Sequence, residues 1–300
     1  DNFFGGYPDY LPEHSNFKFY NLCLSKDYNK LGEIFEEYKP DVTYHFAAYA
    51  AEGLSPFIRR FNYENNVLAS MAVVNNCINY KSKLIFTSSM AVYGHGEPPF
   101  TEDLLPAPCD PYGIAKYAVE QDIQTAAMQF GLEYNIVRPH NVLGIYQNIW
   151  DKYRNVIGIF IRRALNSEPI LVYGDGEQTR AFSDIYFYME PLEKLISDFD
   201  GEIFNIGADK YWSINEIAHL VSSVAKKHNI ETVIQHKEPR KEVKHAFCDH
   251  TKAKKMLDFR DGTNINRLVE GMFEWAMSQP ARDSKYMDYE VVEGIYTYWK

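Results

Sequence analysis

The hydrophobic positions of this chain follow two spacings that alternate along its first half. Apolar residues three or four positions apart predict helices, whereas short runs rich in β-branched and aromatic residues predict strands. The predicted helices span residues 26–38, 61–79 and 112–130, and the predicted strands span residues 16–22, 41–48, 83–88 and 133–138. Strands that alternate with helices of this length indicate βαβ units, so we expect an α/β protein with a doubly wound parallel sheet.

The pattern changes after residue 141, where shorter elements predict a smaller α/β lobe. The predicted helices there span residues 153–165, 191–198, 213–227, 251–257 and 264–277, and the predicted strands span residues 168–173 and 202–206. Ser213 and Glu216 have the Ser-x-x-Glu spacing of a helix capping box. We expect residues 1–141 and 181–206 to form the sheet domain, and residues 142–180 and 207–300 to form the second lobe.

The composition is typical of a globular protein and disfavours two classes of partner. Hydrophobic residues make up 46% of the chain and aromatic residues 15%, which excludes a disordered chain. The net charge of −10 disfavours a nucleic-acid surface, and no apolar run approaches the roughly 20 residues of a membrane span. The four cysteines lack zinc or C-x-x-C spacing, so we expect no metal site and buried thiols in a reducing, cytoplasmic compartment.

Tyr112 and Lys116 are candidates for catalysis because residues four apart share one face of a helix. A phenol has an ordinary pKa of about 10, and a nearby cation lowers that value towards the range useful for proton transfer. Ser89 ends a predicted strand, where its hydroxyl can bind the same substrate hydroxyl. These residues predict a site that oxidises an alcohol to a ketone. Tyr-x-x-x-Lys also arises by chance, so a plain helix surface is the alternative.

Three motifs strengthen the catalytic interpretation when they are taken together. They are Thr87-Ser88-Ser89-Met90-Ala91-Val92-Tyr93-Gly94, Tyr112-x-x-x-Lys116 and Arg138-Pro139-His140-Asn141-Val142-Leu143-Gly144. In this combination the chain resembles the extended short-chain dehydrogenase/reductases, and among them the nucleotide-sugar epimerases of the UDP-glucose 4-epimerase type. The resemblance runs over essentially the whole chain. It implies a Rossmann-like domain that binds NAD, a lobe that binds a UDP-sugar, and a homodimer formed through the helices at 61–79 and 112–130.

The resemblance also implies a role for individual residues. Ser89, Tyr112 and Lys116 match the catalytic residues, and Asp1 matches the acid that binds the adenosine ribose and favours NAD over NADP. The full cofactor set is Asp1, Asn2, Asn21, Leu22, Phe46, Ala47, Ala48, Asn66, Thr87, Tyr112, Lys116 and Pro139. The substrate set is Ser89, Tyr112, His140, Asn141, Asn155, Arg180, Arg240, Glu242 and Ala246. Bidentate arginines suit the diphosphate, and the small Ala246 leaves room for an N-acetyl group. For Phe46 and Asn66, core packing and helix-surface polarity are the alternatives.

One expected motif is not in the sequence. The resemblance implies a Gly-x-x-Gly-x-x-Gly turn about 20–25 residues before Asp1, where a helix N-terminus receives the pyrophosphate. We expect this turn, with the first strand and helix, in a segment preceding Asp1; a truncated homologue is the alternative.

The residues after Ser89 favour one reaction within the resembled group. Dehydratases and decarboxylases of this kind carry an acid there, whereas this chain has Met90 and Ala91. We therefore expect 4-epimerisation through a transient 4-keto sugar. Another enzyme on nucleotide sugars (a 2-epimerase, a reductase or a dehydratase) and a non-catalytic NAD-fold binding protein are the alternatives.

Overall fold

The computed structural model describes residues 1–240, 242–296 and 299 of the chain. The helices are α1 (Tyr28–Tyr38), α2 (Arg59–Tyr63), α3 (Ala69–Tyr80), α4 (Pro111–Phe130), α5 (Val156–Leu165), α6 (Met189–Ser197), α7 (Ile214–Lys227), α8 (Thr251–Met256) and α9 (Ile265–Met277). The strands are β1 (Val42–His45), β2 (Lys83–Thr87), β3 (Tyr134–Pro139), β4 (Val142–Leu143), β5 (Ile170–Tyr173), β6 (Thr179–Ala181), β7 (Ser183–Asp184), β8 (Glu202–Ile206), β9 (Tyr211–Ser213), β10 (Ile234–Lys237) and β11 (His245–Ala246).

A four-stranded parallel sheet in the order β1-β2-β3-β8 forms the centre of the first domain. Leu84 and Phe86 of β2 pack on one face with α1, α3 and α4. Ile85 packs on the other face with α6 and α8, because successive side chains of a strand point to opposite faces. Both faces are covered by helices, so the prediction of a doubly wound α/β fold is confirmed.

The predicted strand at residues 16–22 is wrong, because this segment has irregular backbone. A strand needs a neighbour for its N–H and C=O groups, and the described part of the chain offers this segment none. Leu22 N–H instead donates to Asp1 O at 3.2 Å, which places Leu22 and Asp1 side by side.

The long helix predicted at 61–79 is present, with one irregularity. α2 and α3 are joined by a π-helical turn, Glu64–Leu68, a feature frequent at functional sites. Asn66 lies buried in this turn, where its amide accepts from Tyr49 N–H at 2.9 Å and donates to Tyr49 O at 3.1 Å. The turn therefore holds the loop that follows β1.

The second lobe has its own core, formed mainly by α5, α7 and α9. The capping box predicted at Ser213 and Glu216 is confirmed. The segment after α9 returns to the first domain, where Ile295 and Trp299 pack with Leu54 and Phe57. Two segments cross the proposed boundaries, since Phe182 packs in the second-lobe core and Ala253 and Leu257 pack against the sheet; the domain division stays a prediction.

Two expectations from composition concern the cysteines and the membrane. All four cysteines are free thiols: Cys77 and Cys248 are buried, Cys23 is half-buried and Cys109 is exposed. The expectation of buried thiols is therefore wrong for Cys109 and holds only in part for Cys23. Within the described ranges, no helix is both long and apolar enough to cross a bilayer.

A buried ion pair fixes α4 against the sheet. The guanidinium of Arg138 on β3 donates to both carboxylate oxygens of Glu120 on α4, at 2.9 and 2.6 Å. Its third nitrogen donates to Tyr93 Oη at 2.8 Å, and Tyr93 Oη donates to Asn205 on β8 at 2.7 Å. This network joins α4 to β3 and β8, and so fixes the helix that carries Tyr112 and Lys116.

We expect Arg138→Met to lower the free energy of unfolding by about 3–5 kcal/mol, because it leaves the Glu120 carboxylate buried without a cation. Urea-induced unfolding followed by circular dichroism measures this loss. The double variant Glu120→Leu/Arg138→Met is the matched control and should recover most of it. A single-variant loss below about 1 kcal/mol would contradict this assignment, since that is the range of an exposed ion pair.

Candidate active site

The predicted catalytic and cofactor residues gather at the carboxyl edge of the parallel sheet. Phe46 and Ala47 follow β1 and are exposed, Ser89 follows β2, and Asn141 follows β3. In open α/β sheets the ligand crevice lies outside the carboxyl ends of the strands. The strand order therefore brings together residues that lie far apart in the sequence.

Ser89 and Tyr112 meet because α4 begins very close to the turn after β2. Ser89 Oγ accepts from Ala91 N–H at 3.1 Å and caps the short turn Met90–Tyr93. A Cβ at Gly113 would lie 2.5 Å from Ala91 O, so only glycine permits this approach. Burial raises the pKa of the Tyr112 phenol above its ordinary value, and the polar contact with the Ser89 side chain opposes that increase.

Lys116 lies on the same helix face as Tyr112, but its ammonium is engaged elsewhere. Lys116 Nζ donates to Thr87 O at 2.8 Å and lies 6.0 Å from the centroid of the Tyr112 ring. Burial lowers the pKa of Lys116 to about 7, while the Glu120 charge acts in the opposite direction. Burial dominates the pKa of Tyr112 in this structure, and the expectation that Lys116 lowers that pKa stays a prediction.

Two carboxyl groups that the sequence did not single out lie beside Tyr112. Asp110 caps α4 and accepts from the N–H groups of Tyr112 and Gly113 at 2.9 and 3.0 Å. Glu52 begins the short turn Glu52–Phe57. The residue as a whole is exposed, whereas its carboxyl group has many protein atoms around it. Burial and the Asp110 charge raise the pKa of Glu52 to about 7. The Asp-Pro pair before α4 is a helix-start signal, whereas nothing local marks Glu52.

Arg154 is another residue of this region that the sequence did not assign to the site. Its guanidinium lies 5.1 Å from the centroid of the Tyr49 ring and pairs with Asp151 at 2.9 Å. The Arg154 charge favours the phenolate of Tyr112 and so opposes the effect of burial on its pKa.

The residues assigned to the cofactor fit NAD in two places. Asn2 and Asn21 line a cavity of about 230 Å³ together with aromatic side chains and Lys285, which suits amide contacts to a nucleoside. At the end of β1 the exposed Ala47 and the 52% exposed Phe46 leave the backbone open to a ligand.

The other cofactor residues are engaged or buried. Asp1 Oδ1 accepts from Phe3 N–H at 2.6 Å, and Thr87 Oγ1 donates to His45 O at 3.0 Å. Pro139 ends β3 at the edge where the site lies. Leu22 is buried, and both polar groups of the Asn66 amide are satisfied within the protein. Leu22 and Asn66 therefore support the loops of the site through internal contacts.

The substrate residues divide into an ion pair and a set with internal contacts. Arg180 pairs with Glu242 at 3.0 Å, and the Arg240 guanidinium lies 3.6 Å from the centroid of the Tyr173 ring. Asn141 donates to Ala181 O, and Asn155 caps α5. His140 and Ala246 are buried, His140 against His250 and Ala246 in the cluster that contains Met90. The substrate role of His140 and of Ala246 stays a prediction.

Comparison with known proteins agrees with this geometry. The profile of the NAD dependent epimerase/dehydratase family matches residues 8–207. UDP-N-acetyl-alpha-D-glucosaminuronate decarboxylase of Bacillus cytotoxicus is 30% identical over 92% of this chain and 88% of its own length. UDP-glucuronate 4-epimerase of Thermodesulfobacterium geofontis is 28% identical over 89% of this chain and 81% of its own.

A solved structure shows the same likeness in three dimensions. UDP-glucose 4-epimerase of Thermotoga maritima with UDP-glucose superimposes with a TM-score of 0.85 at 28% identity, covering 92% of this chain and 89% of that one. The resemblance found in the sequence is confirmed. The chain belongs to the NAD-dependent epimerase/dehydratase family of nucleotide-sugar enzymes, and NAD is the cofactor of that family.

Proposed function

We propose that this protein is an NAD-dependent 4-epimerase of a UDP-sugar, with UDP-glucose and UDP-galactose as the first pair to test. The observation that carries the proposal is the contact between the Tyr112 phenol and the Ser89 side chain at the carboxyl edge of the sheet. Met90 and Ala91, which follow Ser89, are buried apolar residues. No acid therefore stands at the position where dehydration or decarboxylation would need one.

Each residue of this site has a separate role in the transient oxidation of the sugar. Ser89 Oγ orients the 4-hydroxyl of the sugar, and Tyr112 Oη takes its proton and later returns it. Proton uptake requires the phenolate, which burial disfavours, and Lys116 is the cation that we expect to favour it. The Arg154 charge favours that ionised form. NAD, when bound, supplies the hydride acceptor and then the donor. The hydride taken from C4 would return to C4, so the reaction would leave no net redox change, and its return to the other face would invert that carbon.

The alternative sugar is a uronate, since two similar proteins are named for enzymes that act on uronate sugars. The UDP-glucose 4-epimerase of Thermotoga maritima, in contrast, is named for a neutral sugar. The site of this chain carries several acids near Tyr112, and this favours the neutral sugar.

A homodimer through α2, α3 and α4 is part of the proposal. Leu68, Ile114 and Met128 lie on or between these helices and are exposed apolar side chains, which mark an association surface when they are grouped on one face.

We expect Tyr112→Phe to reduce the interconversion of UDP-glucose and UDP-galactose at least about 100-fold, since it removes the proton-transfer group. The assay follows both sugars by chromatography, with and without added NAD. Tyr28→Phe, an exposed tyrosine on α1, is the matched control and should keep full activity. Retained activity in Tyr112→Phe with unchanged circular dichroism would refute the assigned base.

The second sugar to compare is UDP-N-acetylglucosamine. The small residue at position 246 motivates this substrate, although Ala246 packs among Met90 and Val92 instead of lining an open space. We expect the protein to epimerise the acetylated sugar beside UDP-glucose. Complete refusal of UDP-N-acetylglucosamine by protein active on UDP-glucose would overturn this expectation.

The lowered pKa of Lys116 predicts a pH dependence of stability. Between pH 7 and about 10.4, the ordinary value for lysine, the unfolded chain binds a proton that the folded protein lacks. Stability should therefore rise with pH across this window, by up to about 1.4 kcal/mol per pH unit.

Urea unfolding of the wild type and of Lys116→Met between pH 7 and 9 measures this rise. The variant should lack it, whereas the exposed-site control Lys81→Met should keep it. If the stability of the wild type and that of Lys116→Met depended on pH in the same way, the lowered pKa of Lys116 would be contradicted.

A further inference from the structure

Glu52 is the exposed charged residue of the turn Glu52–Phe57, which packs beside Tyr112. The neighbouring Leu54, Ser55 and Phe57 are buried. Ser55 fastens the turn to α4, because its Oγ accepts from Tyr112 N–H at 3.2 Å and lies 2.8 Å from Glu52 O. The backbone of Glu52 is therefore held next to the start of α4, and the Glu52 charge opposes ionisation of the Tyr112 phenol.

Asp110 adds a second carboxyl group that lacks a full set of partners. Asp110 is 9% exposed, and its Oδ1 accepts the hydrogen bonds from the start of α4. Its Oδ2 is buried with no hydrogen-bond partner among the described residues. A buried carboxylate oxygen without a donor is unfavourable, so a proton or a hydrogen-bond donor of a ligand at this oxygen would be favourable.

The cations near Glu52 are already engaged with other acids. Arg180 pairs with Glu242 at 3.0 Å and donates to Val243 O at 2.7 Å. Arg154, the cation that acts on Tyr112, pairs with Asp151. The other titratable groups that Glu52 meets or acts on are Asp110, Cys109 and Tyr112, which are acidic or neutral. Glu52 and Asp110 therefore have no ion pair among the described residues, and their charges make the field at the Tyr112 phenol more negative.

A negative field discriminates between sugars of different charge. A substrate carboxylate placed several ångströms from an uncompensated protein carboxylate is strongly disfavoured in a partly buried site, whereas a neutral sugar offers hydroxyl donors to the same oxygens. Juxtaposed like charges are a common source of specificity.

We propose that Glu52, supported by Asp110, is a specificity-determining residue that excludes nucleotide sugars carrying a ring carboxylate and admits neutral hexoses. This inference rests on the proposed function, because it places the sugar ring at Tyr112. It separates the chain from similar proteins that are named for uronate sugars.

The test compares kcat/KM for UDP-glucose with that for UDP-glucuronate, using the full chain with NAD at pH 8. The wild type should prefer UDP-glucose at least 10-fold, on the order expected for an unscreened like-charge contact. Glu52→Gln should shift the ratio of the two values at least about 10-fold towards the uronate. Glu52→Asp keeps the charge and should keep the wild-type preference, as should Glu64→Gln, a control at a surface ion pair.

A pH comparison separates charge from shape. Lowering the pH from 8 to 6 protonates Glu52, whose pKa is about 7, so the wild-type ratio should shift towards the uronate. Glu52→Gln should lose this shift. A ratio that is the same in the wild type and in Glu52→Gln at both pH values would overturn the inference while leaving the 4-epimerase proposal intact.

A binding measurement keeps the inference testable if turnover is absent. Calorimetry of UDP-glucose and UDP-glucuronate with the wild type and Glu52→Gln gives the same ratio as dissociation constants. If neither sugar is converted by NAD-loaded protein, the proposed function fails. In that case a binding preference for UDP-glucose that Glu52→Gln abolishes still supports the charge filter, and an equal affinity for both sugars refutes it.

Discussion

The close packing of α4 on the turn after β2 is the contact on which the site depends. A Cβ at Gly113 would lie 2.5 Å from Ala91 O, so the backbone of one element rests directly on the backbone of the other. This approach brings the Tyr112 phenol to Ser89. One turn beyond Lys116, the Glu120–Arg138 pair holds the same helix to β3. The helix is thereby fixed at two points, with its reactive side chains between them.

The site combines this rigid support with groups that are individually unfavourable. Lys116 is buried, Asp110 Oδ2 lacks a donor, and Ser88 Oγ is buried without a partner among the described residues. Each costs stability in the protein by itself. Proteins tolerate such departures mainly where function requires them, and all three lie around the start of α4 and the end of β2. The same burial that raises the pKa of Tyr112 makes nearby charges effective, so Arg154, Glu52 and Asp110 can tune one phenol.

The loop that carries Glu52 is held by residues from distant parts of the chain. Asn66 binds both backbone groups of Tyr49, and the C-terminal segment packs Ile295 and Trp299 against Leu54 and Phe57. Glu290 also accepts from the N–H groups of Arg60 and Phe61 at 2.6 and 2.8 Å, at the start of α2. The position of a charge beside the reacting atoms is thus coupled to the C-terminal segment, which was assigned to the other lobe.

The sequence by itself determined the alternation of strands and helices, the residues Ser89, Tyr112 and Lys116, and the family. These follow from local periodicity and from motifs of a few residues, which are contiguous or closely spaced in the sequence. The irregular backbone at residues 16–22, the atom that binds Lys116 Nζ, the Arg180–Glu242 pair and the acids beside Tyr112 were decided only by the tertiary structure. A strand requires a neighbouring strand for its hydrogen bonds, and the effect of a charged side chain depends on the groups around it. The neighbouring strand and the surrounding groups come from residues tens to hundreds of positions away in the sequence. No local pattern around Glu52 therefore predicts that it lies near Tyr112.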